Sequence, residues 1–336
     1  MQNKRYWWTA VLGVLLMLTA SGCLEVKIKT TVHPDGSCER VETVTANAPE
    51  LPEAAFPIPT DSSWETGWTK RDNKERDYLY TATKRFESPE ALAREFSHIA
   101  IDSTRLRISP VIEKRFRWFF TYLTYKETYH VFCPYTLIPA SRVLSEEEIR
   151  RISAGEENDT LKKKLDEWRG RNMYEGFYLA LLHGARRLGD PTLLPDSIAR
   201  RKEELFQVIQ RDTTTKDDLD RTLVLIGRFF RSNAVLRLRP ELQIAWGQAE
   251  DMMKREESAN GDYTNTVVMP GMVLDTNADE VKGTTVSWKF SADQFLLRDY
   301  PMWVESRVMN IWAVVLTGIV AIGLTIVLIL LRFRSR

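Results

Sequence analysis

The chain offers few residues that could act in catalysis or bind a metal. Its four histidines are scattered along the sequence, at His33, His98, His130 and His183. His130 and Cys133 have the spacing of two metal ligands, but a tetrahedral site needs two more, and no second pair stands nearby in the sequence. We therefore expect His130 to be structural or exposed, and no metal to be bound.

Sequence motifs of common catalytic sites are also missing. The chain has no Gly-x-Ser-x-Gly, Ser-x-x-Lys, phosphate-binding loop or dinucleotide fingerprint. The densest carboxylates, at residues 146–148 and 256–257, lie in helical patterns and are typical of solvated helix faces. Residues 24–309 carry 46 acidic and 42 basic side chains, which argues against a nucleic-acid partner. The sequence predicts a protein that is not an enzyme and has no cofactor.

Two cysteines of the body, Cys38 and Cys133, lie in strand-like stretches. In an oxidising compartment they could form a disulfide, which would stabilise the fold by about 2–4 kcal/mol because it closes a long loop. The alternative is two separate buried thiols, since free cysteine packs as a small apolar side chain. Both interpretations fit the sequence.

Aromatic side chains are concentrated in residues 116–135. If this segment is one strand, it has apolar side chains on both faces, which favours a core strand covered by the helices that follow. The alternative is the wall of an apolar ligand pocket near a bilayer, with tyrosine hydroxyls orienting the ligand. The residues of that wall would be Trp118, Phe120, Tyr122 and Tyr125.

The first 22 residues have the organisation of a secretory signal. A basic start precedes an apolar run over residues 6–19, and small residues then lead to Cys23. As a helix the apolar run would be about 21 Å long, shorter than the hydrocarbon core of about 30 Å. The small residues before Cys23 resemble the bacterial lipobox, which favours lipidation of that cysteine, although Ala20 stands where Leu is usual. Cleavage by an ordinary signal peptidase is the alternative.

A second apolar segment lies near the C-terminus, at residues 311–331. It would form about 31 Å of helix, enough for one bilayer crossing. The three arginines that follow it place the tail, residues 332–336, in the cytoplasm by the positive-inside rule. We therefore expect a protein of the bacterial cytoplasmic (inner) membrane whose body lies outside the cytoplasm.

Small residues recur at intervals of four along this segment. Such spacing lets two helix backbones approach closely, which would allow self-association or pairing with another membrane helix. The residues of this packing face are Ala313, Thr317, Ala321 and Thr325.

Strand patterns before and after a helical block predict an α+β fold. An antiparallel β-rich ectodomain would be interrupted by an all-helical insertion, and the strands within residues 264–290 should pair with those near residue 24, because edge strands need partners. The predicted divisions are a signal peptide 1–22, a first β-rich part 23–140, a helical insertion 141–258, closing strands with a juxtamembrane helix 259–300, and a transmembrane helix 311–331.

Six short motifs follow one another in a recognisable order. They are Cys23-Leu24-Glu25-Val26, Pro34-Asp35-Gly36-Ser37, Met269-Pro270-Gly271, Thr276-Asn277-Ala278, Gly283 and Val286-Ser287-Trp288-Lys289-Phe290. With the apolar segment after them, they resemble the LppM-type bacterial lipoproteins. The resemblance implies a lipid anchor, a β-rich domain, a C-terminal crossing, and binding of lipid or lipoglycan without enzymatic activity. Cys38, where a small residue is expected, and the long helical block depart from that pattern.

These observations predict a membrane-anchored envelope lipoprotein. Its extracytoplasmic domain would bind membrane lipid, lipoglycan or an envelope protein at the membrane surface. The alternative is a structural or assembly protein whose helical insertion docks a protein partner. Neither interpretation involves nucleic acid.

The two membrane segments predict separable anchoring. In Cys23→Ser we expect intact-mass spectrometry to show loss of the lipid mass, while the protein stays in the membrane fraction because residues 311–331 still cross the bilayer. Release of this variant into the soluble fraction would contradict the predicted C-terminal anchor.

Overall fold

The computed structural model describes residues 24–71, 78–97, 104–156, 158–212 and 218–334. The predicted signal peptide and Cys23 lie outside those residues. The fold is mixed α+β, as the sequence predicts. The chain divides into two compact units. The β-rich unit comprises Met1–Tyr129, Asn260–Ser291 and Pro301–Arg336, and the helical unit comprises His130–Ala259 and Ala292–Tyr300.

The described strands of the β-rich unit form two sheets. In chain order they are β1 (Leu24–Val32), β2 (Cys38–Ala46), β3 (Glu65–Lys70), β4 (Tyr78–Phe86), β5 (Ile108–Phe116), β6 (Phe120–Tyr129), β7 (Gly261–Val268), β8 (Met272–Thr276), β9 (Glu280–Lys282), β10 (Thr285–Ser291) and β11 (Tyr300–Met309). One sheet has the order β3-β4-β2-β1-β7-β10-β9 and the other β5-β6-β11-β8. A helix, α1 (Pro89–Ser97), connects β4 towards β5.

The returning strands do pair with the first strand, which confirms the prediction of an interrupted β unit. The pairing of β1 with β7 is parallel, however, with Leu24 opposite Gly261 and Thr31 opposite Val268. Parallel neighbours need a long crossover connection, and the chain between β1 and β7 includes residues 130–259, the larger part of the helical unit. A side chain at position 261 would lie 2.5 Å from the carbonyl oxygen of Leu24, so this close approach requires glycine.

The first hairpin also follows the sequence pattern. In β1, Leu24, Val26, Ile28, Thr30 and Val32 are buried on one face, as their alternation predicts. The turn to β2 places Gly36 at a φ of 96°, and the Asp35 carboxylate accepts the backbone N–H of Ser37 at 2.9 Å.

The helical unit contains most of the described helices. They are α2 (Glu146–Ser153), α3 (Asp159–Leu188), α4 (Pro195–Arg200), α5 (Lys202–Arg211), α6 (Leu219–Phe230), α7 (Arg239–Ala259) and the short α8 (Ala292–Leu296). Asn158 caps α3 by accepting the backbone N–H of Thr160 at 2.8 Å. At the start of α4, Leu194 holds the cap position and Asp196 lies in the first turn.

The long helix α3 continues through Gly170 and Asn172, although both residue types disfavour a helix interior. Asn172 is fully buried, and its amide donates to the carbonyl of Ile138 at 3.2 Å and accepts the N–H of Ile138 at 2.8 Å. Tertiary contacts thus hold this polar residue within the helix.

A strand that the sequence analysis did not identify precedes the last helix, α9 (Ile311–Arg334). The short helix α8 ends at Leu296, and β11 follows it. Pro301 is tolerated because it is at the start of the strand, and Met302, Val304 and Ser306 alternate as its buried residues. β11 gains its stability from its neighbours β6 and β8, which are distant in sequence.

The core of the β-rich unit contains a buried guanidinium that joins the two sheets. Arg40 of β2 is fully buried and donates to both carboxylate oxygens of Glu127 of β6, at 3.0 and 3.1 Å. Its Nε donates to Glu42 at 2.7 Å, and its charge lies 4.7 Å above the ring centre of Phe96. The Tyr125 hydroxyl also donates to Glu127. Glu127 therefore takes part in a bidentate pair supported by a third hydrogen bond.

The two carboxylates of this cluster differ in their electrostatics. Burial by itself raises the pKa of Glu127, but the charge and hydrogen bonds of Arg40 outweigh it, so the pKa of Glu127 is lowered. For Glu42 burial prevails over the attraction of Arg40, so the pKa of Glu42 is raised. One oxygen of Glu42, Oε2, has no hydrogen-bond partner among the described residues. Glu127 is thus the main counter-ion of Arg40.

This difference predicts destabilisations of unequal size for two matched substitutions. Glu127→Gln should destabilise the β-rich unit by about 3 kcal/mol because it leaves Arg40 buried without its main counter-ion. Glu42→Gln should lower the free energy of unfolding by less than about 1 kcal/mol at neutral pH, because it removes a charge whose burial is unfavourable. Hydrogen exchange of β2 and β6 peptides in the detergent-solubilised chain measures both.

The pH dependence provides an additional check. A lowered pKa of Glu127 stabilises the fold above the unfolded value of about 4.3, and that stabilisation is lost as pH falls through the folded value. The difference in exchange between wild type and Glu127→Gln should therefore stay constant from about pH 7 to about pH 5 and narrow as the pH falls below about 4. A raised pKa of Glu42 acts in the opposite direction, so Glu42→Gln should gain relative stability as pH rises. If the two variants changed the exchange rates equally at every pH, Glu127 would not be the main counter-ion of Arg40.

Candidate functional site

The aromatic segment is a hairpin, not one long strand. β5 and β6 are joined by a two-residue turn, in which Arg117 N–H donates to the Phe120 carbonyl at 2.8 Å and Phe120 N–H donates to the Arg117 carbonyl at 3.2 Å. The turn residues are Trp118 and Phe119, and neither has a positive φ. Two-residue hairpin turns favour Asn-Gly or Gly-containing pairs with positive φ. Turn propensity therefore does not account for the two aromatic residues here.

The end of this hairpin exposes large apolar side chains. Phe116 is 55% exposed, Trp118 47% and Phe119 43%. We call these three residues the aromatic tip. Rings at a turn that cover no core contribute little to folding, whereas clustered exposed apolar side chains mark surfaces that contact another apolar phase or molecule.

The aromatic tip contacts the first turns of α9. The ring of Phe116 stacks on that of Trp312 with centroids 6.2 Å apart, and Trp118 meets Trp312 edge-on at 5.5 Å. Trp118 Nε1 donates to the Thr317 hydroxyl at 2.8 Å, and that hydroxyl donates to the Ala313 carbonyl at 2.7 Å. The indole N–H thus has an acceptor although it lies beside an apolar helix.

Asn310, the residue between β11 and α9, holds the hairpin in place. Its backbone N–H donates to the Phe119 carbonyl at 2.8 Å, and its amide Nδ2 donates to the carbonyls of Arg117 at 2.8 Å and Trp118 at 3.2 Å. Its Oδ1 accepts the hydroxyl of Thr121 at 2.9 Å. One asparagine therefore satisfies most of the polar groups of the turn and the start of the helix.

Among the described residues, α9 is the one helix that is long and apolar enough to cross a membrane, and its apolar stretch is not buried in the fold. Thr317 is six residues after the first residue of α9, or about 9 Å along the helix axis. The aromatic tip therefore extends beside the apolar helix for more than one turn.

Basic side chains surround the base of the aromatic tip. Arg117 is exposed, Arg115 forms an ion pair with Glu305 at 2.8 Å, and the Arg307 guanidinium lies 5.1 Å from the ring centre of Phe120. Arginine side chains can extend from an apolar surface to bring their charge to lipid phosphates. The hairpin thus has an apolar end with basic side chains around its base, an arrangement typical of protein surfaces at a membrane interface.

The four residues predicted as a pocket wall do not share one face. Trp118 is in the turn, and β6 alternates from Phe120 onward, so Phe120 and Tyr122 face away from buried Tyr125. Tyr125 belongs to the Arg40 cluster, where its hydroxyl lies 3.3 Å from Nη1 of Arg40. Simple strand alternation already separates Phe120 and Tyr122 from Tyr125, and the turn also removes Trp118 from the strand. The polar residue between two apolar segments, Asn310, was the missed signal.

Both body cysteines are free, so the alternative of two separate thiols describes the structure. Cys38 is buried in β2, which raises the pKa of its thiol to about 11. Cys133, in the helical unit, is half-buried and donates from Sγ to the Tyr135 carbonyl at 3.3 Å.

His130 pairs through Nδ1 with Asp299 at 3.0 Å. The described residues contain no group of three or more side chains suited to a metal.

The predicted packing face of α9 is divided between two environments. Ala313 is fully buried and Thr317 bonds to Trp118, so this half of the face contacts the chain's own hairpin. Ala321 and Thr325 are exposed, and the Thr325 hydroxyl donates to the Ala321 carbonyl at 2.8 Å. Only the second half of the stripe remains open to another helix.

The contacts of Asn310 generate a prediction. Asn310→Ala should loosen the hairpin from α9 by about 1–3 kcal/mol, because the Trp118 carbonyl loses its side-chain donor and the Arg117 carbonyl keeps only the N–H of Phe120. Hydrogen exchange should increase in residues 115–121 of the reconstituted chain. The neighbouring Met309→Ala, which removes an exposed side chain, is the matched control. Equal exchange in the two variants would show that Asn310 does not hold the turn.

Comparison with known proteins gives one result. No protein-family model matches the chain, and no curated protein matches it. The chain is similar to the NMR structure of the folded domain of LppM from Mycobacterium tuberculosis, with 10% sequence identity and a TM-score of 0.31. The similarity covers 86% of this chain and 91% of that one. A similarity with so low a TM-score carries no argument about this chain's fold or function.

Proposed function

We propose that this protein is a membrane-anchored envelope protein, not an enzyme, whose β-rich unit binds lipid at the outer surface of the membrane through the aromatic tip. The observation that carries the proposal is the contact of Trp118 with Trp312 and Thr317 of α9. If α9 crosses the bilayer, a side chain bonded to its second turn cannot stay in bulk water. The tip then lies among lipid head groups and the first acyl carbons.

The composition of the tip suits that position. Tryptophan favours the membrane–water interface, and Phe116 and Phe119 supply apolar area to the acyl region. Arg117 would lie at the level of the phosphates, where a basic residue contributes about 1 kcal/mol of attraction to anionic lipid. The arginines at 332 and 334, at the other end of α9, support an orientation with the body outside the cytoplasm.

This position of the tip also explains the turn sequence. An aromatic pair in a two-residue turn lowers the intrinsic stability of a hairpin in water. Insertion of each large side chain into the bilayer stabilises the membrane-bound state by about 1.5–3 kcal/mol, because apolar area is buried. A binding role for lipid thus provides a physical reason for residues that the fold does not need.

The depth of the tip can be measured directly. We expect a spin label at Phe119→Cys to be accessible to oxygen and protected from a water-soluble nickel relaxant. The sample is the full chain in bilayers of phosphatidylethanolamine and phosphatidylglycerol, with Cys133→Ser to remove the half-buried thiol. A label at Lys126→Cys, exposed on the same strand β6 away from the turn, is the control and should show the reverse pattern. Nickel access at residue 119 equal to that at residue 126 would overturn the proposal.

A further inference from the structure

The helical unit contains a pocket that the proposed function does not use. Its volume is about 590 Å³, within the range of about 300–1,000 Å³ that sites for small molecules occupy. It lies among α3, α5, α6 and α7, so its walls come from several helices of one unit. Pockets between helices of a bundle are common places for ligands.

One side of this pocket is apolar and aromatic. Phe177, Phe206, Trp246 and Met253 contribute to it, and the rings of Phe177 and Trp246 meet edge-on with centroids 6.4 Å apart. Met253 is 43% exposed at the rim, and methionine adapts its shape to irregular apolar ligands. This side could accept an alkyl or acyl chain.

The other side of the pocket is acidic. Asp166, Glu250 and Glu256 line it, against Arg169 as the single basic residue. Arg169 donates to Glu256 at 2.7 Å, to Asp166 at 3.1 Å and to Asp293 at 2.7 Å. Burial alone would lower the pKa of Arg169, but the charges of Glu256 and Asp293 raise it, so the guanidinium stays charged.

The charge arrangement selects the kind of ligand. The guanidinium of Arg169 is engaged by three carboxylates, so an anionic head group finds an excess of negative charge there. A cationic head group is attracted to that charge and to the face of Trp246, whose indole N–H donates to Glu250 at 2.7 Å. Carboxylates beside an aromatic ring are a recurring arrangement for recognition of ammonium groups.

We infer that this pocket binds a single-chain amphiphile with a protonated amine or quaternary ammonium head. The chain lies along Phe177, Phe206 and Met253, and the ammonium lies between Trp246 and the carboxylates of Glu250 and Glu256. This site is in the helical unit, so it does not depend on the aromatic tip, and either proposal can fail without the other.

The test follows the resonance of Trp246. The full chain is labelled with 5-fluorotryptophan and reconstituted in nanodiscs, and the Trp246 signal is identified by its loss in Trp246→Phe. Octyltrimethylammonium should shift this signal in a saturable manner. Octyl sulfate, with the same chain and the opposite charge, should bind at least about tenfold more weakly, a difference of about 1.4 kcal/mol. Equal binding of the two probes, or no saturable shift, would overturn the inference.

Two variants localise the effect. Ala249 lines the pocket, so Ala249→Phe should fill it and weaken octyltrimethylammonium binding at least about tenfold, a loss of about 1.4 kcal/mol. Gln248→Phe places the same ring on an exposed neighbouring position of α7 and should leave binding unchanged. If Ala249→Phe disturbs the fold, Glu250→Gln keeps the acceptor for Trp246 and should weaken the ammonium probe about two- to fivefold without affecting octyl sulfate. Unchanged affinity in both pocket variants would show that the probe binds elsewhere.

Discussion

The buried pair of Arg40 and Glu127 is the interaction on which the β-rich unit depends. It joins β2 of the seven-stranded sheet to β6 of the four-stranded sheet through two hydrogen bonds in the low dielectric of the core. A shift of β6 by one residue would turn Glu127 to the other face and leave Arg40 without its main counter-ion. Because an unpaired buried charge costs several kcal/mol, the pair determines the register of β6. It also determines which side chains of that strand face the core.

The register of β6 in turn determines where its first residues lie. The strand extends from Glu127 in the core to Phe120, where the turn begins, so the position of Trp118 and Phe119 follows from the same constraint. Asn310 then connects the turn to α9, directly after β11, which is the neighbour of β6 in its sheet. The buried ion pair and the exposed aromatic tip are therefore two ends of one rigid element. A hairpin held in this way can keep large apolar side chains exposed without collapsing onto the core.

Local patterns predicted the elements well where one face is buried and the other is solvated. The alternation of β1, the turn at Gly36 and the cap at Asn158 depend on neighbours in sequence, so the local pattern accounts for each of them. The same reasoning failed where distant residues decide. A turn of two aromatic residues has no local signature. β11 depends on partners far away in the chain, and Asn172 remains helical because Ile138 satisfies its amide. The sequence around Arg40 does not indicate that its counter-ion is Glu127, which lies 87 residues later on β6.

By itself, the sequence determined the apolar segment near the C-terminus, the mixed α+β class and the helical block between two sets of strands. Each of these follows from composition and from periodicity over a short window. Only the tertiary structure decided that β1 and β7 pair in parallel, that Tyr125 belongs to a buried ion cluster, and that Trp118 lies against α9. These three features depend on strand register and on hydrogen bonds between residues far apart in sequence. A pattern of apolar and polar residues along the chain does not specify which of several similar partners a side chain contacts.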